Sequence, residues 1–142
     1  MTHTWKDLAD GEVRLTDEAE NLWRQVAPAH LQQDGTISYL VFRPTERDAR
    51  KLSVRRSSRI DAKAAFEEHI GNGSTSLGSL AVIVEEVHRV GLRAIDDSGL
   101  EPDLPTGHAY VDFRPLTKRE TNAAADALLR LAQHRGLIYR GT

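Results

Sequence analysis

The chain contains no cysteine and only one methionine among its 142 residues. Without cysteine there can be no disulfide framework, thiolate zinc site, iron–sulfur cluster or cysteine nucleophile. Aromatic residues make up 6% of the chain and hydrophobic residues 39%, which describes a slightly polar globular domain. Any catalysis must therefore use histidine, arginine, serine or carboxylate side chains.

Long hydrophobic runs are also missing. No apolar stretch approaches the roughly 20 residues that span a bilayer, and the polar N-terminus does not resemble a signal peptide. The length fits one domain. The sequence therefore predicts a cytoplasmic protein without membrane contact, with an N-terminal arm over 1–15 and a single globular domain over 16–142.

The formal net charge is only −2, but the charges are unevenly distributed along the chain. Residues 1–42 carry a net charge of −4, residues 43–63 of +5, residues 64–112 of −7 and residues 113–142 of +4. Arginine outnumbers lysine 15 to 4, and arginine suits bidentate contacts with carboxylates and phosphates. The blocks either neutralise one another inside the fold or present charged faces to a partner.

Hydrophobic periodicity and capping signals predict an α+β domain: a largely antiparallel sheet of four to five short strands packed against two or three helices. The predicted helices span 17–27, 62–69, 85–90 and a longer segment after Thr117, whose pairing with Glu120 forms a capping box. The predicted strands span 37–43, 51–55, 80–84 and 108–113, with a possible edge strand at 137–139. Residues 93–107 are predicted to form a long acidic loop, a type of segment that is often functional.

Common cofactor motifs are absent from the sequence. There is no phosphate-binding loop, and no dinucleotide-binding glycine pattern follows a strand. None of the six histidines has the spacing of a metal-binding helix. The sequence thus predicts neither a metal nor a cofactor.

One predicted strand carries polar side chains on a single face. His108, Tyr110 and Asp112 alternate with apolar residues, so they share that face. Either this is the solvent-exposed side of an edge strand, or His108 serves as an acid, base or orienting group in a polar pocket. Asp112 lies about 13 Å along the strand from His108, so it orients the imidazole only if a bend brings the two together.

A second candidate lies in the basic block. Arg43 ends one predicted strand, and Ser53 and Arg55 lie on the next. Together they form either an anion clamp or an exposed basic hairpin paired with glutamates.

Two resemblances arise from the order of these motifs. The segments Leu22–Val26, Phe42–Thr45, Leu52–Val54 and His108–Phe113, followed by Arg135-Gly136, resemble a family of small bacterial proteins to which no activity is attached. The middle of the chain is more distantly similar to RES-type ADP-ribosyltransferase-like domains. That second resemblance implies that Arg43 contacts the phosphate of NAD and that Glu68 or Glu85 supports transfer. The chain lacks the glycine-rich G-G-R-W segment of that family.

Three hypotheses follow. The leading one is a non-enzymatic bacterial interaction module, of the immunity, antitoxin or accessory-subunit type, that binds a protein encoded nearby through its charged patches. Its predicted partner-binding residues are Arg55, Arg56, Arg59, Glu85, Glu86, Asp96 and Asp97. The alternative is a small nucleotide-using or NAD-using transferase with Arg43, Ser53, Glu68 and His108 around one pocket. The third is nucleic-acid binding by residues 43–59, which the flanking acidic segments oppose. The sequence does not indicate an oligomeric state.

Overall fold

The computed structural model describes residues 4–141. Within these residues, seven strands and three helices follow one another, with short 3-10 helices at Pro28–His30 and Tyr39–Phe42. The strands are β1 (Val13–Arg14), β2 (Asn21–Gln25), β3 (Lys51–Arg56), β4 (Gly78–Ile83), β5 (Arg93–Asp96), β6 (His108–Asp112) and β7 (Tyr139–Arg140). The helices are α1 (Ala62–Gly71), α2 (Val84–Arg89) and α3 (Lys118–Gln133).

All seven strands form one antiparallel sheet in the order β1-β5-β6-β3-β2-β4-β7. The fold is therefore α+β with an antiparallel sheet, as the sequence predicts. The predicted number of four to five strands is too low, because β1, β2 and β5 lie in segments predicted to be an arm, a helix and a loop. β3 and β6 lie in the middle of the sheet, where side chains from neighbouring strands surround them.

One face of the sheet forms the hydrophobic core. Leu52 and Val54 of β3 and Val111 of β6 are at most 2% exposed, and they belong to the same cluster as Leu128 of α3. Because successive strand residues point to opposite faces, Ser53 and Arg55 are directed to the other face. The polar residues of the central strands therefore collect on the side away from α3.

The predicted helix over 17–27 is wrong, because residues 21–25 form strand β2. Leu22, Trp23 and Val26 match helical spacing, yet β2 pairs with both β3 and β4. Leu22 is fully buried and Trp23 only partly so, as expected when neighbours point to opposite faces of a sheet. Pairing on both edges overrides the local preference.

The predicted strand over 37–43 is also wrong. Residues 39–42 form a 3-10 helix whose N-cap, Ser38, accepts a hydrogen bond from the backbone of Leu40. Val41 and Phe42 are buried in the core. The apolar run thus reflects burial, which a short helical turn satisfies as well as a strand does.

Helices α1 and α3 begin where their capping signals predict. Asp61 caps α1 by accepting a bond from the backbone of Ala64, and Thr117 forms the capping box of α3 with Glu120. Among residues 4–141, no helix combines the length and the apolar character needed to cross a bilayer.

Residues near the N-terminus contact the sheet at three places. The Arg93 guanidinium lies 4.8 Å from the centre of the Trp5 ring, and the Tyr110 hydroxyl donates to Glu12 over 2.6 Å. Strand β1 extends the sheet by pairing with β5. Residues 4–15 thus contact the sheet, and the division of the chain into an arm over 1–15 and a domain over 16–142 stays a prediction.

Candidate functional site

Ser53 and His108 lie side by side on the polar face of the sheet. In the register of β3 and β6, Ser53 is opposite Tyr110 and Arg55 is opposite His108. Ser53 and His108 are therefore diagonal neighbours, close enough for long side chains to meet. The Ser53 Oγ and His108 Nε2 atoms are 3.3 Å apart.

Asp97 completes a row of three polar residues across neighbouring strands. Asp96, the last residue of β5, pairs with Ala109 of β6, so the next residue along β5 comes level with His108. The His108 Nδ1 atom lies 2.7 Å from Asp97 Oδ1. A carboxylate only accepts hydrogen bonds, so Nδ1 donates, and in the neutral imidazole Nε2 accepts the proton of the Ser53 hydroxyl.

The three side chains of this row differ in exposure: the serine is exposed, and the histidine and aspartate are largely buried. Ser53 is exposed, whereas the side chains of His108 and Asp97 are 14% and 12% exposed. The hydroxyl can meet a substrate, while the imidazole and the carboxylate are shielded from competing water. Ser53, His108 and Asp97, here called the relay, thus have the contacts of a serine nucleophile, its base and an orienting acid.

The relay opens into a cleft of about 260 Å³. The cleft lies between the sheet, the end of α1 and the loop before β6. Its lining residues are Trp23, Arg24, Gln25, Ser53, Val54, Arg55, His69, Asn72, Ser74, Pro105 and His108. Among these described residues there are two arginines and two histidines and no carboxylate, so the lining favours an anion.

Arg55 and Glu68 hold one wall of the cleft in place. Arg55 forms an ion pair of 3.0 Å with Glu68 and donates to the carbonyl of Thr106. Glu68 in turn accepts bonds from the backbone and hydroxyl of Thr106. Burial raises the pKa of Glu68, but the hydrogen bonds from Thr106 and the charge of Arg55 outweigh burial, so the pKa lies below its ordinary value. The charged form therefore ties helix α1 to the loop before His108.

Arg24 lies where β2 and β3 separate. Its Nε atom donates to the carbonyl of Val41 over 2.7 Å, and its NH1 group donates to the carbonyl of Ser53 over 3.0 Å. Burial lowers the pKa of Arg24 to about 10, against the opposing effect of Asp48. Arg24 is still protonated at neutral pH, so a positive charge lies beside the backbone of the candidate nucleophile.

The same positive field acts on His69 across the cleft. Burial lowers the pKa of His69, and the charges of Arg55 and Arg24 lower it further, against one hydrogen bond involving Thr75. His69 is therefore neutral at neutral pH and offers the cleft a polar group without adding positive charge.

Arg43 does not line this cleft. It lies in a separate cavity of about 300 Å³ beside the start of α3, together with Arg50 and Lys118. Of the four residues that the transferase hypothesis places around one pocket, the structure brings together Ser53 and His108, with Glu68 behind them through Arg55. Arg43 is held elsewhere.

Most of the predicted partner-binding residues are paired inside the molecule. Arg56 binds both Glu20 and Asp96, at 2.9 and 2.5 Å. Glu86, which is 5% exposed, binds Arg135. The charged blocks of the sequence therefore neutralise one another to a large extent within the fold.

The other predicted partner-binding residues have three different surroundings. Arg59 is exposed, Glu85 is partly exposed and pairs with Arg89, and Asp97 belongs to the relay. Binding of a partner protein through charged patches stays a prediction, and so does nucleic-acid binding by residues 43–59. Among the predicted partner-binding residues, Arg59 and Glu85 have the surface exposure that binding of a partner protein needs.

Comparison with known proteins adds no homologue: no family model, curated protein or solved structure matches this chain. The two resemblances seen in the sequence stay predictions. Any inference about function must therefore come from the geometry of the cleft.

Proposed function

We propose that this protein is a hydrolase or acyltransferase for small esters, with Ser53 as nucleophile, His108 as general base and acid, and Asp97 as the orienting group. The observation that supports it best is the pair of contacts made by one imidazole, 2.7 Å to a shielded carboxylate and 3.3 Å to an exposed hydroxyl. This arrangement activates a serine on several unrelated folds, so it is recognised by geometry and not by chain position.

The proposed reaction has two halves. Ser53 Oγ attacks the ester carbonyl while its proton passes to His108 Nε2, and His108 then gives that proton to the departing alcohol oxygen. The acyl group remains on Ser53. In the second half, His108 removes a proton from water, or from an acceptor alcohol, which attacks the acyl-serine and releases Ser53 with its proton restored.

Negative charge develops on the carbonyl oxygen in both halves, and donors in the cleft are available to stabilise it. Asn72 and Ser74, whose side-chain amide and hydroxyl can donate hydrogen bonds, line the same cleft as Ser53. Donors fixed in place before the reaction contribute strongly to such catalysis. The cleft volume is below the roughly 300–1,000 Å³ of typical ligand sites, which supports a small substrate.

Hydrolysis of p-nitrophenyl esters tests this function. Replacing Ser53 with alanine is expected to lower kcat/KM for p-nitrophenyl acetate by at least about 10³, because the acyl-enzyme can no longer form. The matched control is Ser57→Ala, since Ser57 follows β3 outside the cleft and accepts a bond from the Asn21 backbone. Release of p-nitrophenolate, followed by absorbance, measures the rate.

Both variants are compared with the wild-type chain under the same conditions. Loss of turnover in Ser53→Ala but not in Ser57→Ala supports the proposal. Turnover that both variants retain, or no turnover above the uncatalysed rate with esters of several acyl lengths, contradicts it. The NAD-using alternative predicts cleavage of NAD that depends on Arg43, a residue outside this cleft.

A further inference from the structure

We infer that the cavity beside the start of α3 binds the phosphate group of a small phosphorylated molecule, and that Arg43, Arg50 and Lys118 hold this group. The cavity is separate from the cleft that contains Ser53, so the inference goes beyond the proposed function and does not depend on it. Its basis is the charge of the lining, together with two guanidinium groups that the fold leaves without acidic partners.

The lining of this cavity carries more positive than negative charge. The cavity has a volume of about 300 Å³, and it is lined by three cations, one carboxylate and two hydroxyl groups: Arg43, Arg50, Lys118, Glu46, Thr117 and Thr121. Glu46, the single carboxylate among the described lining residues, is exposed. A phosphate monoester carries about −1.5 to −2 charges at neutral pH, so its charge matches the excess of the cations.

Arg50 is fixed at the wall of the cavity by its own hydrogen bonds. Its NH2 group donates to the carbonyl of Leu116 and, over 3.2 Å, to the hydroxyl of Thr121, and both of these residues line the cavity. Its NH1 group donates to the carbonyl of Arg114 over 3.2 Å. All three acceptors are uncharged, so these bonds position the guanidinium without neutralising it.

The backbone at Arg50 has an uncommon conformation. Ala49 and Arg50 have φ angles of 54° and 62°, in the left-handed region that residues other than glycine seldom adopt. Residues in such conformations persist where surrounding contacts hold them, and they concentrate at active sites and ligand-binding sites. The turn before β3 therefore holds Arg50 against α3 in advance of any ligand, which lowers the cost of binding.

Arg43 brings a second guanidinium that the fold does not neutralise. Its Nε atom is buried without a hydrogen-bond partner, and within residues 4–141 its side chain forms neither a hydrogen bond nor an ion pair. Buried donors without partners are rare in folded proteins, and each calls for an explanation such as an absent ion. An anion in the cavity that Arg43 lines would supply the missing negative charge.

The third cation comes from the first residue of α3. Lys118 is exposed and lies next to the N-cap Thr117, where the positive end of the helix dipole has the same sign as its ammonium group. The three cations thus belong to three different segments of the chain. A phosphate has three strong acceptor oxygens and is bound well by both arginine and lysine, whereas a carboxylate has only two oxygens.

Isothermal titration calorimetry with phenyl phosphate, and with benzoate as a carboxylate of similar size, tests this inference. We expect the wild-type chain to bind phenyl phosphate at least about tenfold more tightly than benzoate, and Arg43→Gln to weaken phenyl phosphate binding by at least about tenfold. Glu46→Gln is expected to strengthen it about twofold. Arg59→Gln, an equal change of net charge at an exposed residue outside the cavity, is the matched control and leaves the affinity unchanged.

A second measurement uses the wild-type chain alone and so does not depend on how a variant folds. The ¹⁵N-labelled chain is titrated with phenyl phosphate and followed by amide NMR. The largest shifts are expected within residues 43–50 and 116–121. The amides of His69, Asn72 and Ser74, which line the cleft of Ser53, are expected to shift less.

Each contrary outcome overturns a stated part of the inference. Equal affinities for phenyl phosphate and benzoate overturn the assignment of a phosphate group. Unchanged binding by Arg43→Gln, or largest shifts at the cleft of Ser53, overturns the location. No heat and no shift up to about 10 mM phenyl phosphate overturns the site itself. Ester hydrolysis by Ser53 is measured separately, so its presence or absence leaves these results unaffected.

Discussion

Replacing His108 with alanine is expected to slow Ser53-dependent ester hydrolysis by about 10³ to 10⁴, because the hydroxyl loses the group that removes its proton. His108 is the one residue of the relay that contacts both other members. The rate is measured as p-nitrophenolate release at saturating and at low substrate concentration. The drop should appear in kcat, since His108 acts on the bound ester.

Asp97→Asn addresses the orienting role in the same assay. The asparagine amide can donate to Nδ1, which favours the tautomer whose Nε2 carries the proton and cannot accept from Ser53. We expect the rate of ester hydrolysis to fall by a factor of about 10² or more. The double variant His108→Ala/Asp97→Asn should be little slower than His108→Ala alone, because residues that act as one unit are not additive.

A control and a stability measurement keep these results interpretable. His134→Ala changes an exposed histidine after α3 and should leave the rate unchanged. Urea unfolding should give free energies within about 1 kcal/mol of the wild-type value for His108→Ala. Equal rates for His108→Ala and the wild-type chain would contradict the assignment of the base.

The second large effect concerns stability and centres on Asp112. This carboxylate has no exposed surface and accepts bonds from the side chains of Arg93 and Arg114 and from the backbone of Arg114, at 2.8 to 3.1 Å. Asp112→Asn leaves two guanidinium groups without their anion. Removing one partner of a buried ion pair costs about 3–5 kcal/mol, so we expect a loss of that size in the free energy of unfolding.

The pH dependence of stability provides an internal check on this effect. Burial raises the pKa of Asp112, but the hydrogen bonds from Arg114 and Arg93 outweigh it and hold the pKa below its ordinary value, which is about 3.9. A carboxyl with a lowered folded-state pKa stabilises the fold above the ordinary value, and this contribution is lost as the pH falls through the lowered one. The difference in free energy of unfolding between the wild-type chain and Asp112→Asn should therefore become smaller below about pH 4.

Urea unfolding at pH 7 and at about pH 2.5 measures both effects. Asp126→Asn is the matched control, because Asp126 forms an i,i+4 ion pair with Arg130 at the surface, and such pairs contribute about 0.3–0.5 kcal/mol. A loss at pH 7 no larger than that of the control would mean that the buried network adds little to stability. A gap that stays constant with pH would remove the carboxyl of Asp112 as its cause.

The elements that local signals define could be predicted from the sequence. The capping residues Asp61 and Thr117 marked two helices, and alternation marked β3 and β6. Failures came where pairing partners decide the structure. Residues 21–25 match a helical period but form a strand between β3 and β4. The sequence of this segment contains no information about those two partner strands.

The candidate site shows the same division. The sequence predicts Ser53 and His108 as site residues, because serine and histidine on predicted strands can carry chemistry. It assigns Asp97 to a partner-binding surface and offers Asp112 as the acid that orients His108. The sequence does not reveal that Arg93–Asp96 forms a strand paired with β6. Once that pairing is known, Asp97, the residue after β5, lies opposite His108. Its segment looked like a loop because it is short and adjoins an acidic stretch rich in glycine and proline.

The measurement that tests the central claim most directly is peptide mass spectrometry of the wild-type chain after reaction with a small neutral fluorophosphonate, a reagent that modifies activated serines. We predict one principal adduct, on the peptide containing Ser53, that forms far more slowly in His108→Ala. An unmodified Ser53, or modification spread evenly over exposed serines and unchanged in His108→Ala, would contradict the assignment of Ser53 as an activated nucleophile.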